Sequence, residues 1–568
     1  MSPQGPETKN LLLAIIAATL IMVGWQYFYE RPRQEVQRQQ QLAEKAKQLA
    51  TAPASAPKQA ATDSVVDATA NAPRIRINTP SLHGSISLVG ARFDDLTLAS
   101  FREDLAVDSP EVKLLTRVSS PDAYFIELGM LGHESSLKLP DATTRWQSVD
   151  TTLTIDKPVT LTWSNGSGLH FTRQIAVDDR FMFTVTDTVK NDSGAAVTLY
   201  PYGLVSRNYA DISKHTILMH EGPLGVMNDV LNDVSYKTLR DEGPEKFVDT
   251  TGWLGVTDKY WLTAIIPETG KKFDAEYKYF KRGNIDAYQA DLRGAAMDVL
   301  VGKEVTTTTH VFAGAKVVKL LDGYRDEFKI PLFDRAVDFG TLYFLTRPIF
   351  ALLSFFHGIV GNFGIAILLL TCVIKALLFP LASKSMTAMA RMKQLTPKMT
   401  ELRERHKDDK MKLNQEIMAL YKREKVNPVS GCLPILIQIP IFFALYRVLF
   451  VTIEMRHAPF FGWIHDLSAI DPTNIFTLFG LLPWNTPSFM HLGVLPIVMC
   501  ITMVIQQKLN PKPADPIQAA MMNYMPYIFL FMFASFPAGL VLYWICNNTL
   551  TILQQLYINN HLDKKGLR

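Results

Sequence analysis

The chain is short of cysteine, and its apolar second half is short of acid. Four cysteines occur in 568 residues, Cys372, Cys432, Cys500 and Cys546, all in or beside apolar stretches near the C-terminus. They stand singly, without C-x-x-C spacing or a companion set of histidines, which excludes a disulfide framework and a zinc site. No G-x-x-x-x-G-K-[ST] or H-E-x-x-H motif occurs. The stretch "NGSGLH" at residues 165–170 is no nucleophile elbow, because its serine lacks a glycine two residues before it. The apolar runs at residues 363–381, 432–453, 491–507, 524–536 and 539–557 contain neither Asp nor Glu. A proton-coupled transporter places an acid at mid-membrane and a paired-repeat carrier shows two similar halves, and neither feature is present.

What is present is a chain of several parts. Residues 11–29, "LLLAIIAATLIMVGWQYFY", are long enough to span a bilayer at about 1.5 Å per residue and carry an interfacial aromatic belt. They read as an uncleaved anchor (1–30). Residues 31–73 are rich in Gln, Ala, Lys, Thr and Pro and too poor in large apolar side chains to offset ordering entropy, which makes them a disordered tether. Residues 74–325 alternate with period two, as in "PVTLTW" (Val159, Leu161, Trp163) and "RFMFTV" (Phe181, Phe183, Val185), with turn signals such as "SNGSG" and "KNDSG" between runs. No strand-helix alternation appears, so an all-β antiparallel sandwich is expected. Within 326–360, "YFLTRPIFALLSFFHG" is aromatic and broken by Pro348, which suits an amphipathic helix in the membrane interface. Five spans follow, one at 361–381 and four within 431–557. The tail is 558–568, and "SFPAG" marks a tight hairpin between the last two spans.

Residues 382–428 carry twelve Lys and Arg against six Asp and Glu, whereas residues 454–488 carry one Arg against three acids. The basic loop (382–430) is therefore expected in the cytoplasm. Counting crossings puts the β domain outside, in a bacterium the periplasm, and both termini inside. In that loop Met386, Met389, Met392, Leu395, Met399 and Leu402, then Leu413, Ile417 and Leu420, recur at helical spacing. An αα-hairpin packing these faces together accounts for the stripe, while a methionine-lined surface suits varied apolar partners. Its basic faces fit anionic headgroups, acidic nascent chains or ribosomal RNA, and charge does not choose among them.

A modest polar set remains in the spans: Thr371 and Lys375 at i and i+4, Gln438, Gln506 and Gln507, then Tyr543, Trp544, Asn547 and Asn548. A lysine at mid-bilayer costs roughly 2.5–3.5 kcal/mol. Two readings stay open. Lys375 either snorkels about 9 Å to the headgroups or faces a cavity wetted from the cytoplasm. The amides have a structural role open to them as helix-to-helix hydrogen bonds. His465, Asp466 and Asp471 in "WIHDLSAIDP" are expected to organise the outer loop. Two other classes are open: a transporter, and a binding protein built on the β domain.

Four stretches together, "FPLASKSMTAMARMKQLTPKM", "ALYKREKVNPVSGCLPILIQIPIFFALY", "WIHDLSAIDP" and "FPAGLVLYWICNNTLTILQQ", resemble the YidC membrane protein insertase family of Gram-negative bacteria, in the YidC/Oxa/Alb superfamily. The resemblance implies a multi-domain membrane protein with an α-helical transmembrane core of five helices plus the N-terminal anchor, and a large all-β periplasmic supersandwich. It implies a hydrophilic groove open to the cytoplasm, in which the family's single basic residue, usually arginine, is Lys375 here. Charge is kept, but the planar fork that clamps a carboxylate is lost. Thr371 and Gln506 align with polar groove residues, Tyr543 and Trp544 with substrate-contacting aromatics, and the hairpin with a client-receiving element. The implied partners are nascent membrane proteins, the bilayer and the Sec translocon, with ribosome or targeting factors at the hairpin. No cofactor, metal, covalent catalysis, nucleotide hydrolysis or specific DNA is expected.

Overall fold

A computed structural model describes residues 72–564, apart from 135, 210–218, 407–408, 425–432, 480, 483–486, 488–490 and 510–515. The expected anchor, nearly all of the tether and the last four residues of the tail lie outside the described residues. The chain divides into two compact units, a β unit ending at Gly340 and a helical unit from Thr341 onward, residues 451–454 counting with the former.

The β unit is two large sheets, of eleven and eight strands, and every strand pair in them is antiparallel except Arg74–Asn78 against Thr152–Leu153. The expected antiparallel sandwich is therefore present. Period two alone underestimates its burial. In the strand Met182–Asn191, Phe183 meets Phe93 of the other sheet edge to face at 5.2 Å between ring centroids. Met182 lies in register with Phe312. The Phe312 ring meets Tyr324 and Phe333 at 6.0 and 5.5 Å. Those two rings come from short helices that the alternation did not reveal. They are α2 (Val318–Glu327), which follows α1 (Tyr236–Glu242, capped by Ser235), and the turn Phe333–Ala336. Each such fully buried aromatic contributes roughly 1.5–3 kcal/mol. They also explain why the unit runs to Gly340, past the expected edge at 325.

Several charges are buried in this unit. Arg173 binds Asp187 through two parallel bonds of 2.7 and 2.9 Å. Lys316, 3% exposed, donates to Thr257 Oγ1 at 2.9 Å. Burial pulls its ammonium down to about 8, against the opposing pull of Asp258, Asp338 and Glu221. An unfolded lysine keeps its proton to a higher pH, so the unfolded chain binds more protons between about pH 8 and 10.4. Stability therefore rises with pH through that window, and the cost is complete below it. The thermal midpoint of the β unit is expected to rise from about pH 7.5 to about pH 9.5 and to do so less in Lys316→Met. An equal rise in the variant removes Lys316 as the cause.

The helical unit begins with α3 (Tyr343–Val360), which contains Pro348. Gly361, at φ 67°, turns the chain, and Asn362 caps the next helix by accepting from Ile365 N at 3.1 Å. That helix, α4 (Phe363–Arg405), runs unbroken through the expected span and the first arm of the hairpin, although Pro380 and Pro397 lie inside it. Its 43 residues reach about 64 Å at 1.5 Å per residue. The second arm is α5 (Lys410–Arg423), capped by Asp409. Then come α6 (Leu433–Val451), α7 (Val494–Leu509), α8 (Pro516–Phe533) and α9 (Ala538–Lys564). α8 starts eight residues before the expected span at 524, with a proline at its first position, where no N–H is needed. By length and composition Tyr343–Val360 and Phe363–Met389 are able to cross a membrane, and Leu436–Val451, Val494–Leu509 and Ala519–Phe533 are shorter apolar helices.

Candidate functional site

α9 organises the polar groups of the helical unit, because its polar residues form two stripes at helical spacing. Tyr543, Asn547, Thr551 and Gln554 follow one another at steps of four, four and three, and so share one face. Lys375 Nζ of α4 donates to Thr551 Oγ1 at 2.8 Å, and that hydroxyl donates to Asn547 O at 2.7 Å. Gln554 Nε2 reaches the Lys375 carbonyl at 3.4 Å. Gln438 of α6 donates its amide N–H to the Tyr543 hydroxyl. On the second stripe Asn548 Nδ2 meets Thr502 Oγ1 of α7 at 3.2 Å, and Gln555 Nε2 meets Leu509 O at 3.2 Å. Gln438, Asn548, Gln554 and Gln555 thus join helices.

Lys375 is half-buried and forms no ion pair among the described residues. Its hydrogen bond runs across to α9. With one ammonium proton given to Thr551, two remain for a ligand or water. Thr371 sits one turn earlier, 1% exposed, and donates to Ile367 O at 2.7 Å. Asn547 is buried, and neither its Oδ1 nor Trp544 Nε1 has a partner among the described residues. The Trp544 ring lies 5.0 Å from Phe442 and 5.2 Å from Phe533, an aromatic wall joining α6, α8 and α9. Lys375, Thr371, Gln438, Tyr543, Trp544 and Asn547 are thereby drawn together around α9. Gln506 is half-buried on α7 and makes no hydrogen bond to this group among the described residues, whereas Gln507 donates to Met522 O of α8. Thr551 and Gln554 escaped the sequence reading although their spacing from Asn547 marks them.

The hairpin methionines divide. Met386 is buried against Ile558 of α9, beside Phe379 and Met389. Met399 is buried among Ile417 and Leu420 of α5, and Tyr421 Oη donates to its sulfur at 3.4 Å. Met392 is half-buried. The sulfurs that face outward are Met411 and Met418 on α5, 77% and 51% exposed, which lie off the stripe read from the sequence.

At the other end of the unit Asp471 is 2% exposed and fully engaged. Its Oδ1 accepts from Trp463 Nε1, Thr473 N and Thr473 Oγ1 at 3.2, 3.0 and 2.6 Å, and its Oδ2 accepts from Leu495 N at 2.8 Å. His491 Nε2 donates to the Asp471 carbonyl at 2.7 Å. The loop also lies on the start of α9, with Ala538 N donating to Ala469 O and Gly539 N to Leu467 O. Asp471 therefore organises this loop, as the sequence suggested.

Two family models match. The "60Kd inner membrane protein" family covers residues 355–565 and the "YidC periplasmic domain" covers residues 74–352. The membrane protein insertase YidC of Rickettsia rickettsii (strain Sheila Smith) is 48% identical over 551 residues, 97% of this chain and 98% of its own length. That of Rickettsia bellii (strain OSU 85-389) is 48% identical over 556 residues, 98% and 99% of the two lengths. A crystal structure of an active YidC insertase aligns over 86% of this chain and 95% of its own at 16% identity and a TM-score of 0.34. Near-half identity from end to end, across both the β unit and the helices that carry Lys375, means that the chain belongs to the YidC family of membrane protein insertases.

Proposed function

We propose that the protein inserts newly made proteins into the bacterial inner membrane by giving their hydrophilic ends a polar path along α4, α6 and α9. The observation that carries this reading is Lys375, an ammonium on an apolar helix that is tied to Thr551 and holds no carboxylate among the described residues. An acidic tail entering beside it gains a counter-charge, and water admitted with the tail lowers the desolvation cost of moving it part-way across. Partition of the client's apolar segment into lipid completes the transfer, helped by about 2.3 kcal/mol per charge per 100 mV of membrane potential. Bond making and nucleotide hydrolysis have no part in this scheme.

In the same reading the β unit is periplasmic, both termini and the α4–α5 hairpin are cytoplasmic, and α3 lies along the interface. The hairpin receives clients through Met389, Met392 and the outward Met411 and Met418, with Met386 and Met399 holding its shape. The Sec translocon, and the ribosome or targeting factors, are partners on the two sides.

Cysteines introduced at Thr371, Gln438 and Tyr543, in a chain whose own four cysteines are replaced by serine, test the path. They are expected to crosslink to a stalled nascent membrane protein, and a cysteine at the exposed Phe531 of α8 is expected to crosslink less. Equal yields at all four positions would contradict a defined path.

A further inference from the structure

Among the buried and half-buried arginines of the β unit, Arg92, Arg173 and Arg207 each hold a carboxylate, from Glu127, Asp187 and Asp258. Arg282 does not. It ends the strand Phe273–Arg282 and pairs with Ile285 across the hairpin. Its Nη1 donates to Asn208 Oδ1 at 2.7 Å and its Nη2 to Ser206 Oγ at 3.0 Å, both neutral acceptors. Its Nε is buried and without a partner among the described residues.

The guanidinium lies 5.3 Å from the Phe125 ring and 5.6 Å from Phe280. Arg92, 1% exposed, lies 5.0 Å from the same Phe125 ring. Its Nε and Nη2 are both bonded to Glu127 Oε2, at 3.2 and 2.7 Å, and its Nη1 is buried with no partner. The other Glu127 oxygen accepts from the Tyr202 hydroxyl at 2.8 Å. Two guanidinium groups therefore share one aromatic ring, while the Glu127 carboxylate is taken by Arg92 on one oxygen and by Tyr202 on the other. The electrostatics agree, since burial and the Arg92 charge together pull Arg282 down to about 10.

We propose that Arg282 and Arg92 form a binding site, on the eleven-stranded sheet, for a small solute carrying an oxyanion group. Taking an unpaired cation out of water is costly, and the cost falls when an anion accompanies it. The free Nε–H and the second Nη2 proton of Arg282 form the fork that matches two oxygens of a carboxylate or phosphate. The Phe125 and Phe280 rings keep the local dielectric low, which strengthens the attraction. Ser206 and Asn208 hold the fork in place from the strand Val197–Asn208, which lies beyond the intervening strand Ile285–Gly294.

Isothermal titration calorimetry of the full chain in detergent, with sodium phosphate against sodium chloride of matched ionic strength, tests this, and sodium acetate then asks whether a carboxylate competes. Saturable one-site binding is expected, about tenfold or more weaker in Arg282→Gln and weakened less in Arg282→Lys, which keeps the charge but loses the fork. Ser206→Asp, which supplies a carboxylate from within, is expected to block phosphate and raise the thermal midpoint. The variant also decides the matter if Arg282→Gln fails to fold. Absence of saturable heat in the native protein, meaning that water alone fills the site, overturns the proposal. So does unchanged affinity in Arg282→Gln or in Ser206→Asp.

Discussion

Insertion of a client with an acidic extracytoplasmic tail is expected to fall at least about tenfold in Lys375→Glu and to stay near the native level in Lys375→Arg. Reversing the charge replaces an attraction by a repulsion. At 4 Å each is worth about 1 kcal/mol in water and about 4 kcal/mol at an effective dielectric of 20, while tenfold needs only about 1.4 kcal/mol. Arginine keeps the charge and enough reach for the Thr551 hydroxyl that Lys375 now uses. Glutamate brings acceptors alone, and the Thr551 hydroxyl already gives its proton to Asn547 O, so nothing offsets the repulsion. A client with a basic tail is expected to suffer less in the Glu variant. Protease protection of the tail in membrane vesicles is the measurement, and indifference to both substitutions would end the charge-based account.

Asp471→Ala is expected to destabilise the helical unit by about 3 kcal/mol or more, because four donors lose a buried acceptor at once. An orphaned buried donor costs about 1–3 kcal/mol, and relaxation of the loop recovers part of the sum. One of the four is the N–H of Leu495 in the first turn of α7, where a carboxylate also meets the positive end of the helix. The fit is close: a side chain at Gly493 would bring its Cβ within 2.6 Å of the Asp471 carboxyl carbon. Asp471→Asn keeps the shape and one acceptor oxygen, and is expected to lose less. Thermal unfolding in detergent, with proteolysis of residues 473–493 as a local readout, separates the variants. An alanine variant within about 0.5 kcal/mol of the native chain would show that the loop does not depend on this residue.

The sequence reading and the structure part company where burial has two sides. Alternation in "RFMFTV" marks Phe181, Phe183 and Val185, yet Met182 between them is 2% exposed, under α2 and the turn at Phe333. In the same way the hairpin stripe was legible from methionine spacing, but spacing is silent on what lies opposite. Met399 faces Ile417 and Leu420 of the second arm, and Met386 faces Ile558, 172 positions further along the chain. The continuity of α4 through Pro380 was also hidden, because a proline in a helical pattern more often marks a boundary.

By itself the sequence determined which segments are apolar, which are alternating and which are basic, and it placed one ammonium in a run free of acid. Those properties follow from composition and local period, which depend only on neighbours along the chain. Tertiary structure decided what each polar group meets. Lys375 and Thr551 are 176 positions apart, Gln438 and Tyr543 are 105 apart, and Arg282 and Ser206 are 76 apart. No local pattern encodes such pairings, because they arise only when helices and strands bury their apolar faces and leave the polar remainder to find partners across the fold.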